Sequence, residues 1–222
     1  LLDTTKSRIW KYVAATSGNR LTVVDVSRPS SPEVVGSVLD NTNLNSPRGV
    51  FVSGRYAYVA SFSGTNLAVV DVSNPSSPVV VGSVSDTTNL AGPTSVFVSG
   101  RYAYVTSDGS SNERLTVVDV SNPASPKIVG TVQDSSLLAG PRQVFVSGRF
   151  AYVTASTNAR LTIIDVSNPT SPVIANSFQS LSSLSTVGGL FVSGRYAYIA
   201  SNGTNGLAVV DVNNGYGAMV LA

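Results

Sequence analysis

The chain has 222 residues, of which 42% are hydrophobic, which is enough to bury one sizeable core. It contains no Cys and no His, so it offers no disulfide, thiolate or imidazole, and we expect no bound cofactor or metal. Its net charge of +2 comes from scattered residues, whereas nucleic-acid binders cluster basic residues on one face. No apolar run is long enough to cross a membrane, so we predict neither nucleic-acid binding nor membrane insertion.

The sequence repeats itself from end to end. A Val-Val-Asp-Val or Ile-Ile-Asp-Val segment recurs with spacings of 46, 48, 46 and 46 residues between its aspartates, Asp25, Asp71, Asp119, Asp165 and Asp211. The longer interval comes from two extra residues within 107–114, which reads as a loop. We place the repeat units at about 1–46, 47–92, 93–140, 141–186 and 187–222, all within a single domain, 1–222.

Each unit contains four short apolar runs, which in the second unit are Val50–Val52, Tyr56–Ala60, Leu67–Val72 and Val79–Val84. They are rich in Val, Tyr and Phe and are bounded by Gly, Pro, Ser and Asn, a pattern that predicts β-strands. We refer to them as the first to fourth strands of a unit. The third strand is apolar on both faces, so both faces of the sheet must be covered by neighbouring sheets.

These features predict an all-β chain that forms a β-propeller of five blades, each with four antiparallel strands. A two-sheet β-sandwich is the alternative, which the regular four-strand period disfavours. In the first unit, Thr4-Thr5-Lys6 stands where the other units have an apolar first strand. Either the ring closes there with a degenerate strand, or residues before Leu1 are missing.

The blocks Leu115–Val120 and Leu161–Val166, each followed by Ser-Asn-Pro-x-Ser-Pro, resemble the LVIVD repeat family. The block Tyr56–Ser61 is similar to the related YVTN propellers. The resemblance covers nearly the whole chain. It implies a β-propeller of a bacterial or archaeal protein that is secreted or lies at the cell surface, and it carries over no catalytic motif.

Three repeated series of side chains have a functional and a structural reading. The five aspartates could form a metal-binding ring, but we expect each to cap its own turn by accepting backbone N–H groups. The arginines that follow each Ser-Gly turn could attract anions, but we expect their stems to lie on neighbouring rings. The aromatic residues of the second strands could bind sugars, but we expect them to pack between blades.

The loops that join second to third strands, and fourth strands to the next unit, vary from unit to unit, whereas the other turns are nearly uniform. Because both sets lie on the same face of a propeller, this face is the candidate binding face. Drift in unconstrained loops is the alternative. The candidate residues are Arg20, Arg48, Asn66, Arg114, Arg142, Arg160 and Asn205.

The residue content also bears on catalysis. Without His or Cys the commonest general base and thiol nucleophile are absent, and the innermost strands carry no acid, so we expect no enzyme. The segment 108–113, which contains Asp108 and Glu113, matches no calcium loop. We therefore expect an extracellular scaffold or adhesion module that contacts other proteins, including copies of itself; a lectin-like, glycan-binding module is the alternative.

Overall fold

The computed structural model describes residues 8–109, 112–182, 184–213 and 219–220, in which the main elements are β-strands, with a 3₁₀ turn at Thr16–Gly18. The strands form five antiparallel sheets, one for each repeat unit, in which neighbours in sequence are neighbours in space. Sheet 1 contains β1 (Trp10–Ala15), β2 (Arg20–Asp25) and β3 (Glu33–Leu39). Sheet 2 contains β4 (Pro47–Ser53), β5 (Tyr56–Ser61), β6 (Asn66–Asp71) and β7 (Val79–Ser85).

The other three sheets repeat this plan. Sheet 3 contains β8 (Pro93–Ser99), β9 (Tyr102–Ser107), β10 (Arg114–Asp119) and β11 (Lys127–Gln133). Sheet 4 contains β12 (Pro141–Ser147), β13 (Phe150–Ala155), β14 (Arg160–Asp165) and β15 (Val173–Gln179). Sheet 5 contains β16 (Val187–Ser193), β17 (Tyr196–Ser201), β18 (Gly206–Asp211) and β19 (Met219–Val220).

The predicted four-strand unit is confirmed in sheets 2 to 5. Sheet 1 has three described strands, and the degenerate segment Thr4-Thr5-Lys6 lies outside the described residues. The hairpin between first and second strands turns on a glycine in the left-handed region, with φ of +58° at Gly54 and +59° at Gly100. Each turn is thus built from a residue that pays no steric penalty there.

Successive sheets pack face to face and bury the core between them. One apolar cluster lies at each of the four junctions, and each contains a fully buried leucine from the loop that joins the two units. These leucines are Leu44, Leu90, Leu138 and Leu184. Burying such a side chain stabilises the fold by roughly 1.5–3 kcal/mol, so these loops stabilise the junctions that they span.

The first strands lie innermost, where β4 packs on β8, β8 on β12 and β12 on β16. A row of tilted rings follows these contacts, with centroid separations of 4.6 Å for Phe51–Phe97, 4.8 Å for Phe97–Phe145 and 5.5 Å for Phe145–Phe191. Sheets 1 to 5 follow one another around this row, and the predicted β-propeller fold is confirmed. Among the described residues, no strand of sheet 5 packs comparably on sheet 1.

No helix in the described part of the chain is long and apolar enough to cross a membrane.

Candidate ligand site at the axial cavity

The innermost strands of sheets 2 to 5 surround a cavity of about 420 Å³. This volume lies within the range of small-molecule sites, roughly 300–1,000 Å³. We call it the axial cavity, and it is lined by Arg48, Gly49, Val50, Phe51, Ser95, Val96, Phe97, Gln143, Val144, Phe145 and Leu190. Phenyl rings thus form one part of its wall, and polar groups form the part nearer the variable loops.

The polar groups of the cavity, on Ser95 and Gln143, lie where the first strands of neighbouring sheets approach one another closely. A Cβ placed on Gly49 would lie 2.8 Å from Cα of Ser95, so only glycine permits this approach of β4 to β8. On the next strand, the Ser95 hydroxyl lies 3.4 Å from Gln143 Oε1 and accepts a long hydrogen bond from the Val144 amide. The cavity therefore presents hydroxyl and amide groups beside its apolar wall.

Arg48 lies at the rim of the cavity, in the register shift at the start of β4. Its guanidinium carbon stands 3.4 Å from the centroid of the Phe62 ring, which is a cation–π contact. Phe62 in turn rests on Gly92, which has φ +62°, and a Cβ there would fall 2.8 Å from Cε2 of the ring. This packing orients the exposed guanidinium without using its N–H donors.

Arg142 occupies the equivalent position two units later, at the start of β12, and is also exposed. Its Nε donates to Ser156 Oγ at 3.1 Å, and that hydroxyl donates to the Gly140 carbonyl at 2.9 Å. Neither Arg48 nor Arg142 forms an ion pair with a carboxylate in the described part of the chain. Their terminal nitrogens are therefore available to a ligand.

Asp108 lies in the long loop of sheet 3, near enough to both arginines for their charges to act on its carboxyl group. Burial raises the pKa of the Asp108 carboxyl above its ordinary value; Arg142 and Arg48 oppose the shift, and Glu113 adds to it. In the same loop, Glu113 Oε2 and Ser107 Oγ are buried and have no hydrogen-bond partner among the described atoms. Buried polar atoms are normally satisfied, so these two atoms are exceptions within the described part of the loop.

The structure separates the seven residues predicted for the binding face. Arg48 lines the axial cavity, and Arg142 precedes the lining residue Gln143. Arg20, at the start of β2, and Asn205, in a turn, are exposed and lie outside the lining. Arg160 is half-buried and donates to Ser177 Oγ at 3.0 Å and Gln179 Oε1 at 3.1 Å. These contacts hold it along the rim of its own sheet.

Two of the seven side chains point inward. Asn66 is 2% exposed and donates to the Asn43 carbonyl. Arg114 is 5% exposed and donates to Asn89, Gln133 and Asn112. Both stabilise loops and are almost inaccessible to a ligand, although Asn66 Oδ1 has no hydrogen-bond partner among the described atoms. Sequence reasoning weighed Asp108 only as a calcium ligand and did not place it beside the arginines.

On the opposite face, the repeated arginines and aspartates pair with each other. Arg55 binds Asp71, and the same pair recurs as Arg101–Asp119, Arg149–Asp165 and Arg195–Asp211. As predicted, each aspartate also caps its turn; for example, the Ser73 amide donates to Asp71 Oδ1 at 2.9 Å. Hydrogen bonds from Ser73 and then Arg55 lower the pKa of Asp71 to about 2.

It is the guanidinium groups that lie near rings, with the Arg55 guanidinium carbon 5.1 Å from the Tyr56 centroid. The aspartates are therefore structural groups. Across the described ranges, no three acidic side chains gather into a group that could hold a metal ion.

The sequence profile described as the LVIVD repeat matches residues 10–40, 46–86, 93–134, 141–180 and 186–215. These five matches fall on the five sheets and cover well over half of the chain. No curated protein matches the chain in sequence.

Solved structures with the same fold include a functionally unknown protein from Desulfotomaculum acetoxidans, at 10% identity and a TM-score of 0.78. A periplasmic gluconolactonase from Pseudomonas aeruginosa matches at 20% identity with a TM-score of 0.72. A protein from Bacteroides uniformis described as a candidate 6-phosphogluconolactonase matches at 16% identity with a TM-score of 0.75. The matches cover 96%, 91% and 99% of this chain, but only 65%, 63% and 69% of those chains, so this chain spans about two thirds of their length.

These similarities correct one prediction. The prediction that the chain is not an enzyme is wrong, because the fold does not exclude catalysis: solved chains of this fold include a gluconolactonase. The absence of His and Cys removes particular mechanisms, but Asp and Arg side chains also serve as bases and as anion stabilisers. At 10–20% identity the matches show the fold and assign no activity to this chain.

Proposed function

The chain belongs to the LVIVD repeat family, and we propose that it binds a hydroxyl-rich, anionic ligand, a sugar acid or its lactone, at the axial cavity. One observation carries the proposal. Two exposed arginines, Arg48 in the lining of a cavity of about 420 Å³ and Arg142 next to its lining residue Gln143, both act electrostatically on the half-buried Asp108.

The chemistry of the rim favours a ligand that has both charge and hydroxyl groups. A guanidinium binds a carboxylate or phosphate through two parallel N–H donors. The Ser95 and Gln143 side chains in the lining supply acceptors and donors for hydroxyl groups, and the phenyl wall offers an apolar surface for C–H groups. Asp108, which lies outside the lining and near both arginines, adds an acceptor. The two matched proteins whose names specify a sugar lactone add support for this ligand class.

Isothermal titration calorimetry with gluconate, glucuronate and neutral glucose tests the proposal. We expect the two acids to bind more tightly than glucose, because a charge-assisted hydrogen bond contributes about 1.5–3 kcal/mol. The variants Arg48→Gln and Arg142→Gln should each weaken acid binding about tenfold, which corresponds to about 1.4 kcal/mol.

Arg20→Gln is the matched control, because Arg20 is an exposed arginine and neither it nor its neighbours in the chain line the cavity, and this change should leave binding unaltered. The proposal fails if the folded protein binds none of the three ligands at millimolar concentration. It also fails if acids and glucose bind equally.

Hydrolysis of a bound lactone is a second candidate, favoured by the raised pKa of Asp108. A carboxylate of raised pKa is a better general base near neutral pH. Asp108 would accept a proton from water as the water oxygen attacks the lactone carbonyl carbon. An adjacent arginine would stabilise the oxyanion, the ring C–O bond would break, and the proton would pass to the departing alkoxide.

Gluconolactone ring opening, measured by pH-stat above the spontaneous rate, tests this step. We expect Asp108→Asn to abolish the enzymatic rate and to retain gluconate binding. An unaltered rate in Asp108→Asn, or no rate above background in the wild-type protein, would remove this candidate.

The scaffold or adhesion role, the protein or glycan partners and the location at a bacterial or archaeal surface stay predictions. The cavity site is compatible with a glycan that ends in an acidic sugar, which is the lectin-like alternative in a more specific form. Binding to uronic acids on a glycan array would support both the proposed sugar-acid site and the lectin-like alternative.

A further inference from the structure

The two end sheets expose residues that every other sheet buries. On sheet 1, Val13 is 48% exposed, whereas its equivalents Val59, Val105 and Val153 are fully buried. On β3, which corresponds to the fourth strand of the other units, Val34 is 70% exposed. These valines share one face of sheet 1, which we call the leading face.

Sheet 5 is open on its other face, which we call the trailing face. Leu207 is 58% exposed there, whereas its equivalents in the other four sheets are fully buried; these are Leu21, Leu67, Leu115 and Leu161. Ala200 beside it is also exposed, and Val209 is half-buried. The two ends are therefore open on opposite faces.

The interior junctions show what covers such faces. Between sheets 2 and 3, the trailing-face residues Leu67 and Val69 share one cluster with the leading-face residues Val105 and Val118. The same pairing of a trailing with a leading face recurs at the other three junctions. Apart from Lys11 on the leading face, each open face thus carries the apolar residues that another sheet of this repeat buries.

Curvature limits which sheets can fill the gap. This five-sheet chain superimposes on two longer solved chains and covers 65% of the length of one and 69% of the length of the other. Dividing five by these shares gives a ring of about seven or eight sheets, within the usual range of propellers. Sheets 1 and 5 are then too far apart to meet directly, and a second five-sheet copy is too large for the gap.

Lys11 distinguishes the leading face from the interior ones. It stands where sheets 2 to 5 have a fully buried alanine, Ala57, Ala103, Ala151 or Ala197. A lysine on an otherwise apolar sheet surface discourages indiscriminate pairing. The leading face is therefore suited to a sheet that accommodates this ammonium group.

We propose that the leading face of sheet 1 and the trailing face of sheet 5 are docking surfaces for further four-stranded sheets of the same repeat, two or three of which complete the ring. The inference rests on the uncovered valines and leucine and is independent of the ligand bound at the axial cavity.

A comparison of two equivalent leucines in the 222-residue chain tests the proposal first. Leu115→Asp places a charge in a buried junction and should lower the thermal midpoint severely. Leu207→Asp should leave the midpoint nearly unchanged and should reduce binding of the dye ANS several-fold. Equal loss of stability in both variants would mean that sheet 5 already packs on sheet 1, which overturns the proposal.

An extended chain tests the occupant. Residues 177–186 followed by 93–186 are appended after Ala222, which completes the fourth strand of unit 5 and adds two units. We expect this monomer to bind at least fivefold less ANS and to unfold at a higher temperature. The same extension carrying Leu207→Asp is the control and should show neither change.

Two results would refute the inference. One is an extended chain whose dye binding and unfolding temperature equal those of its control. The other is a concentration-dependent oligomer of the unextended chain, seen by light scattering and abolished by Leu207→Asp, because a second copy would then be the occupant.

Discussion

Adding a single methyl group at Gly82 tests how closely the sheets approach one another. Gly82 lies on β7, and a Cβ there would fall 2.9 Å from both C and Cα of Ala124, and closer still to the Pro123 carbonyl oxygen. These atoms belong to the turn between the third and fourth strands of sheet 3. Gly36 and Gly130 meet the equivalent turns of sheets 2 and 4 in the same way.

The expected cost of Gly82→Ala follows from this geometry. Backbone atoms cannot rotate aside as a side chain can, so sheets 2 and 3 must separate locally, and overpacking of this kind costs about 1–3 kcal/mol. Alanine also restricts the unfolded chain more than glycine does, which stabilises the folded state by about 0.4–1 kcal/mol and offsets part of this cost. A net loss of about 1–2 kcal/mol should lower the thermal midpoint of a chain of this size by about 2–8 °C.

Thermal unfolding followed by circular dichroism measures this change, with Gly206→Ala as the matched control. Gly206 is also a strand glycine, but the nearest atoms to its Cβ would be 3.8 Å away, which is ordinary contact. We expect the control to stay within about 0.5 kcal/mol of the parent. Equal midpoints for the two variants would refute the close approach of the sheets.

Three further predictions concern the polar groups. Because the pKa of folded Asp71 lies at about 2, below its unfolded value, stability is lost as pH falls from about 4 to 2; melting of Asp71→Asn should depend less on pH in that window. Asp86→Ala removes the acceptor for the Thr88 and Asn89 amides and should cost about 1–2 kcal/mol in urea unfolding. Arg114→Ala should cost about 2–3 kcal/mol in the same assay and leave gluconate binding unaltered, because that buried side chain lies outside the cavity lining.

Periodicity made the fold predictable, because every unit repeats the apolar runs and turn residues that define its strands. The capping role of Asp71 was also predictable, since an aspartate before a turn accepts N–H groups from residues close in sequence. Its second partner, Arg55, lies 16 residues earlier and became apparent only with the strand register, which pairs Tyr56 with Asp71.

The candidate site was predicted only in part, because burial differs between equivalent positions. Arg20, Arg114 and Arg160 begin the third strands of their units, yet Arg20 is exposed, Arg160 is half-buried and Arg114 is 5% exposed. The long loop of the third unit brings Asn112 onto Arg114, a contact that composition does not reveal. The proximity of Asp108 to Arg48 and Arg142 arises across three units, so no single repeat contains it.

Asymmetry within the repeat is what makes a site at the axis. The second residue of the first strand is Arg48 in unit 2, Thr94 in unit 3 and Arg142 in unit 4. Thr94 is 7% exposed, and its hydroxyl donates to the Pro141 carbonyl at 2.8 Å, so it supplies no charge to the rim. The same unit carries the lengthened loop with Asp108. Five equal units would give a uniform rim, whereas arginine at this position in units 2 and 4 only, together with one longer loop, exposes a carboxyl group of raised pKa to the charges of two arginines.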